Sequence, residues 1–407
     1  MKILLSAYAC EPNKGSEPEV GWRWAITLCK KGNEVYVVTR KNNKINIEKY
    51  IKKNKIKNLN FIYFDFPNWL LKLIKGKSNP NAYLHMLLWQ VAIFFIIKSR
   101  IKISSFDLIH HVTYVNYRLP SFLCLLRIPF IFGPIAGGDT IPPQLKNNFS
   151  IRGKIREFLR EVHISLSKYS PLINLTLRNS TKIFTNSTDT KKKIPTKFHK
   201  KTKVILAIAS DNRGKKKYKI KKNYKTFNIC YAGNLIDIKG VNILIKTFIK
   251  ITKKNKNVIL NIVGEGNQKK LIESISRKHQ VQNQIKWYGQ VKQTKLFKIF
   301  KKSNLLFFPA LRDSGGMVIL EAMSNGLPSA VLNIGGPGQI VDNKCGIRVN
   351  VKNKSEEVII DEFQKKITKL IIDKKTYLKK CKYSFQKVKK INWNNKFDKI
   401  YKNLGVN

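Results

Sequence analysis

Residues 307–328, FFPALRDSGGMVILEAMSNGLP, hold the densest set of side chains able to do chemistry. An apolar strand expected over Leu305 to Phe308 ends at Pro309, and Asp313, Ser314, Gly315 and Gly316 then make a turn into a helix beginning near Gly316. A helix start preceded by glycines presents backbone N–H groups and the positive end of the helix dipole, which suits a diphosphate. Glu321, inside that helix, would be repelled by phosphate. Its carboxylate makes most sense as an acceptor of hydrogen bonds from sugar hydroxyls such as those of ribose. The segment taken alone reads equally well as a plain strand-to-helix connection with an exposed Glu.

A second group lies near the start of the chain. His110 and His111 follow the strand FDLI and are expected at its C-terminal end, where open α/β sheets bind ligands. The pair is either structural or ligand-contacting, and His111 is the one expected to touch a donor or acceptor sugar. Glu17 sits after Gly15 and Ser16 in the loop following the first strand, where it either orients an acceptor hydroxyl or caps the next helix. Arg118 is a candidate for an acceptor phosphate.

The elements that must position these residues follow a β-α-β rhythm. KILLSAY, VGWRWAITLCKKG and NEVYVVTR open one doubly wound sheet, with further strands expected at NFIYFDF, FDLIHHV, PFIFGP and KIFTNS. A lysine-dense stretch, SDNRGKKKYKIKKNYKTF, reads as a solvated linker. A second series then begins with FNICYAGNL and continues through NVILNIVGEG, NLLFFPA and PSAVLN. The fold class expected is α/β, two Rossmann-like domains facing across a cleft. The domains expected are residues 1–205, residues 206–385, and a C-terminal helix over 386–407 that packs back on the N-terminal domain.

With the elements in place, the 313–321 segment resembles the E-x7-E motif of family 4 of the retaining glycosyltransferases, the glycosyl transferases group 1, with Asp313 at the first acidic position and Glu321 at the second. YAGNLIDIKG (231–240) is similar to that family's G-R-L-x-x-x-K-G phosphate loop, NIVGEG (261–266) to its I-V-G-x-G turn, and IGGPGQIV (334–341) to its GGP loop. YACEPNKGSEPEVGW (8–22), FDLIHHVTYVNYRLP and FGPIAGG resemble its N-terminal loops. The resemblance implies the two-domain GT-B fold, with 1–205 as the acceptor-binding and 206–385 as the nucleotide-sugar-binding domain, and a donor held by Gly233, Asn234, Lys239, Gly264, Ser314, Gly315, Gly316 and Glu321. It also implies catalysis by Asp313, His111 and Glu17, with Gly15, Ser16, His110 and Arg118 on the acceptor side of the cleft. The reaction implied retains anomeric configuration and uses a nucleoside-diphosphate sugar as co-substrate, with no metal and no other cofactor. No D-x-D motif is present, and Lys239 takes the charge-neutralising role. Two positions depart from the family pattern: Asn234 stands where Arg is common, and Asp313 is one methylene shorter than Glu.

The composition adds a partner. Lys and Arg number 79 against 24 Asp and Glu, a formal charge of +55. Drift toward Lys, Ile and Asn explains part of this, but drift would also enrich Asp and Glu, so an anionic partner accounts for the rest. Phosphorylated ligands and an anionic membrane surface fit. A specific nucleic-acid partner is not expected, because no recognisable reading module appears. The segment PNWLLKLIKGKSNPNAYLHMLLWQVAIFFIIKSRIK mixes Lys with large apolar residues and reads either as an interfacial surface or as core helices. Its longest apolar run, Met86 to Ile97, is shorter than the ~20 residues of a membrane span. The six cysteines are too scattered for a metal cluster. With no signal-peptide pattern, the expected location is cytoplasmic, peripheral on the inner face of the plasma membrane, next to a lipid-linked or surface-glycan acceptor. Rival readings are a homologue that binds sugar nucleotide without turnover, a sugar-nucleotide epimerase on the same fold, and a basic nucleic-acid-binding protein.

Overall fold

A computed structural model describes residues 1–75, 82–210 and 225–401. Most of the lysine-dense linker lies outside the described residues. The chain divides into two compact units, one of Met1–Gly138, Arg160–Ala207 and Lys396–Asn407, the other of Asp139–Leu159 and Ile208–Asn395. This is not a single cut near residue 205. Residues 139–159 group with the second unit, where Gln144 Nε2 donates to Val351 O and Asn148 Nδ2 to Glu356 Oε1.

The first unit contains β1 (Lys2–Ala7), α1 (Ser16–Lys30), β2 (Glu34–Arg40), α2 (Lys44–Asn54), β3 (Leu59–Phe64), α3 (Asn68–Lys75), α4 (Ala82–Arg100), β4 (Leu108–Thr113) and β5 (Phe130–Ile135). After α5 (Ile151–Ser167), within which the unit boundary falls, come α6 (Pro171–Asn179), β6 (Lys182–Thr185), α7 (Thr188–Lys193) and β7 (Thr202–Val204). The strand order is β3-β2-β1-β4-β5-β6-β7, all parallel. A parallel sheet needs crossover helices on both faces, so its central strands are buried on both sides. The sequence supplies this in β1 and β4, of which all but Lys2 is buried. Trp89, Ile93 and Ile97 of α4 pack into the core with Phe130, Phe132 and Ile109. That face of the Lys-rich apolar segment is therefore core, not an interfacial surface.

The second unit runs β8 (Phe227–Ala232), α8 (Val241–Lys254), β9 (Val258–Val263), α9 (Lys269–Lys278), β10 (Ile285–Gly289), α10 (Gln293–Lys302), β11 (Leu305–Phe308), α11 (Met317–Ser324), β12 (Ser329–Leu332), α12 (Gly335–Ile340) and β13 (Gly346–Val349). Three helices follow: α13 (Glu356–Ile372), α14 (Lys374–Lys390) and α15 (Trp393–Tyr401). Its strand order, β10-β9-β8-β11-β12-β13, is again all parallel. Each sheet winds outward in both directions, from β1 and β4 in the first and from β8 and β11 in the second. Loops leaving the C-terminal ends of those neighbouring strands diverge there, which is where open α/β sheets form ligand crevices.

The end of the chain belongs to the first unit from Lys396 onward. Phe397 of α15 meets Trp24 edge-on at 4.8 Å between ring centroids, and Tyr401 reaches His110 in β4. No helix among the described residues is long and apolar enough to cross a membrane.

Candidate functional site

In the second unit the loop after β8 and the loop after β11 meet at the switch point. Gly240 opens α8 with φ +69, and a Cβ there would lie 1.9 Å from Pro309 O, so only glycine lets the loops touch. The turn after β9 packs the same way: a Cβ on Gly264 would fall 2.0 Å from Gly233 O, and one on Gly266 2.2 Å from Leu235 O. Leu235 N donates to Glu265 O at 2.9 Å across this contact. Gly233 and Gly264 thus build the wall of the site. Asn234 is exposed at its rim, and its carbonyl accepts the Tyr231 hydroxyl.

Lys239 sits in this frame with its Nζ 2.6 Å from Asp313 Oδ2, and both side chains are mostly buried. The other Asp313 oxygen, Oδ1, accepts from Gly315 N at 2.9 Å and Gly316 N at 2.7 Å. The reading of those N–H groups as open donors is corrected by this geometry. A short carboxylate folds back onto the amides two and three residues ahead of it, as Asp does wherever a turn leads into a helix. Gly316 has φ +73 at the start of α11, and Gly336 N donates to Asp313 O, so the GGP segment braces the loop from outside. Ser314 lies within this braced loop. The ensemble is an anion site assembled from one ammonium and two amides, holding a carboxylate of its own chain.

Glu321 lies in the second turn of α11, and its Oε1 accepts from Gln293 Nε2 at 2.6 Å. Burial raises its pKa, which the Gln293 hydrogen bond partly offsets. A cavity of about 160 Å³ lies nearby, lined by Asp237, Gly240, Asn242, Gln268, Leu311 and Glu356 among others. It is smaller than the ~300–1,000 Å³ of ordinary ligand clefts.

In the first unit, Gly15 has φ +72 and caps α1. Ser16 is the first residue of α1, its side chain outside the described residues. Glu17 Oε1 accepts from Tyr114 N at 2.9 Å, tying the loop after β1 to the loop after β4; burial raises its pKa. Arg118 packs on the Tyr83 ring, 4.5 Å from its centroid, and donates to the Tyr83 hydroxyl and to Asn116 Oδ1.

The histidine pair is not at a strand tip. Both residues lie inside β4, His110 at 0% and His111 at 3% exposure, and burial lowers their pKa values to about 3 and about 4. A carbonyl can only accept, so His110 Nε2–H donates to Gly133 O at 2.7 Å and Nδ1 accepts from the Tyr401 hydroxyl at 2.6 Å. His111 Nε2 faces Thr113 O at 3.2 Å. The expectation that either contacts a sugar is corrected: a central strand of a doubly covered parallel sheet buries residues of both parities.

Sequence reasoning missed a polar cluster at the ends of β1, β2 and β3. The Tyr8 hydroxyl lies 2.7 Å from His85 Nδ1, and His85 Nε2 lies 3.3 Å from Asp65 Oδ1. Arg40 donates twice to Asp65 Oδ2 and stacks 5.2 Å from the Tyr8 ring. Burial alone would raise the Asp65 pKa, but the hydrogen bonds from His85 and Arg40 hold it low, while burial pushes Tyr8 up to about 12. The available signal was positional: Tyr8 and Asp65 each directly follow a strand and Arg40 ends one.

Residues 212–387 match the glycosyl transferases group 1 family. An uncharacterized glycosyltransferase of Methanocaldococcus jannaschii is 31% identical over 126 residues, which is 31% of this chain and 32% of that protein. The chain thus spans about a third of that relative's length. Among solved structures, HepE of Anabaena in complex with UDP and glucose superposes over 99% of both chains at TM-score 0.60 and 15% identity. WaaG, a glycosyltransferase involved in lipopolysaccharide biosynthesis, covers 98% of this chain and 99% of its own at TM-score 0.59 and 15% identity. The α/β fold with two parallel sheets is that of these GT-B glycosyltransferases.

Proposed function

We propose that this chain, with its group 1 segment at 212–387, is a retaining, metal-independent family 4 glycosyltransferase. It moves a sugar, most simply a hexose, from a nucleoside-diphosphate sugar to a glycan or lipid-linked acceptor. The protein works in the cytoplasm, peripherally on the inner face of the plasma membrane. The observation that carries the reading is the anion site at the β8–β11 switch point. Lys239 and the amides of Gly315 and Gly316 already hold a carboxylate, and a diphosphate, of the same sign and higher charge, would displace it from the same donors. The complexes of HepE with UDP and glucose and the involvement of WaaG in lipopolysaccharide biosynthesis support the donor and acceptor classes.

In the reaction the bond from the anomeric carbon to the diphosphate oxygen breaks, and the charge gathering on that oxygen meets the Lys239 ammonium and the start of α11. Glu321 accepts from donor hydroxyls. The acceptor hydroxyl loses its proton as it attacks the same face of the sugar, with the departing phosphate as the nearest base. Tyr8, Glu17 and Arg118, at strand ends of the first unit, offer polar contacts for an acceptor.

Transfer and hydrolysis measured against uridine, guanosine and adenosine diphosphate sugars, with and without EDTA, test this. Turnover of one donor class, unchanged by EDTA and with retained anomeric configuration, is expected. Activity lost in EDTA and restored by magnesium or manganese would remove the metal-independent mechanism. Tight nucleotide binding without turnover would favour the degenerate homologue, a reading supported by the engagement of both Asp313 oxygens, one by Lys239 and one by the amides of its own loop.

A further inference from the structure

α5 carries its apolar residues on the side away from the protein. At about 100° per residue, Ile151, Ile155, Phe158, Leu159, Val162 and Leu166 fall in one stripe roughly 100° wide, and all are exposed, Ile151 at 78%, Phe158 at 65% and Leu166 at 62%. Tyr169, just past the helix end, continues the stripe and is also exposed. The opposite face is the covered one: Glu157, Ile164 and Ser167 are buried. Polar contacts hold it there. Glu157 accepts from Arg312, and Arg160 donates to Gly137 O at 3.0 Å. The helix is amphipathic in the usual sense, but a globular core would take its apolar stripe inward. A contiguous exposed stripe of this kind marks an interaction surface.

The charges beside the stripe say what covers it. Arg152 and Arg156 run along one margin and Lys154 stands at the other, all exposed, with Lys168 exposed just past the helix end. Of the helix's two acids, Glu157 is buried on the protein side, and Glu161 is half-buried beside Lys154. A hydrocarbon strip with cations at both margins is the complement of an anionic lipid leaflet: side chains enter between the acyl chains while the cations stay among the phosphates. A second copy fits worse, because pairing two such stripes sets cationic margins against each other. We propose that α5 is the membrane-docking helix of this protein, lying in the headgroup plane of an anionic leaflet with Ile155, Phe158, Leu159 and Val162 inserted. The inference deepens the reading of a membrane-side acceptor and rests on it for purpose, but it does not depend on the donor site.

The full chain is sedimented with phosphatidylglycerol–phosphatidylcholine vesicles, beside the double variant Phe158→Ser, Leu159→Ser. Both side chains are exposed, so the variant leaves the core intact. The expected result is a fall in vesicle partitioning of at least about tenfold, with uridine diphosphate affinity unchanged. A second variant, Arg152→Gln with Arg156→Gln, should weaken binding to anionic vesicles and flatten its salt dependence. Three results would overturn the proposal: partitioning unaffected by the serine variant; no vesicle binding by the parent protein; or a parent dimer, seen by sedimentation velocity, that the serine variant converts to monomer. A parent protein that binds vesicles but no sugar nucleotide would count against the glycosyltransferase reading and leave this one standing.

Discussion

The two sheets secure the loops at their switch points by different means. In the second unit, backbone rests on backbone: the loops after β8, β9 and β11 approach so closely that Gly240, Gly264 and Gly266 leave no room for a Cβ. In the first unit one approach is as close, a Cβ on Gly21 falling 2.1 Å from Ala9 O, but the loops of different strands are joined by side chains, through Glu17 to Tyr114 N and through the Tyr8, His85, Asp65 and Arg40 cluster. Backbone contact gives a fixed wall suited to a constant ligand fragment such as a diphosphate. Side-chain contact can be re-cut one residue at a time, as suits a site whose partner differs between enzymes on one fold.

The comparison breaks first at glycine. Gly264→Val puts a side chain into Gly233 O and holds a β-branched residue at positive φ, so a loss on the order of 3 kcal/mol should appear in denaturant unfolding of the second unit. The His85→Gln change in the first unit should cost far less. Equal costs would mean that the backbone contact is no stiffer than the side-chain cluster.

The acid response separates the units next. His110 and His111 are neutral in the fold with lowered pKa values, so their contribution is complete above the unfolded value near 6.5 and is lost as pH falls toward about 4 and about 3. At pH 5 each imidazole should remove about 2 kcal/mol from the first unit. The second unit has a single histidine, His279, which is exposed, and its Asp342, held low against burial by Lys387 and the Cys345 amide, gives up stability only as pH falls below the ordinary Asp value near 3.8. Hydrogen exchange between pH 7 and 5 should therefore open β4 and β5 while β8 and β11 stay protected, and His111→Gln should flatten the slope.

A third effect, similar or smaller in size, concerns the ligand. Lys239→Ala should weaken nucleoside-diphosphate binding by ~1.5–3 kcal/mol, about ten- to a hundredfold in Kd, read by calorimetry, whereas Arg118→Ala should leave it unchanged. A donor affinity that responds to Arg118 and not to Lys239 would move the anion site to the other unit.

What could be read from the sequence follows the same division. The glycine loops of the second unit were legible because a backbone that must pass another backbone demands glycine at fixed offsets, and such demands are local. The Tyr8 cluster joins residues up to 77 positions apart, and no short pattern records that. The histidines were misplaced because a strand end was set at Ile109, four residues early; β4 continues to Thr113. Asp313 was recognised, but not the turn of its carboxylate onto its own amides. For α5, periodicity reveals a stripe and is silent about which side of the helix the protein covers.

One consequence of α15 concerns time, not geometry. His110 lies in the middle of the first sheet, yet the hydroxyl its Nδ1 accepts from is on Tyr401, 291 residues later. As the chain leaves the ribosome, β1 to β7 emerge long before that partner and before Phe397, which covers Trp24. The first unit therefore waits, with an imidazole nitrogen and an indole uncovered, while the rest of the second, from Ile208 on, is made. A fragment ending at Ala207 holds every strand of its sheet and lacks part of its own core.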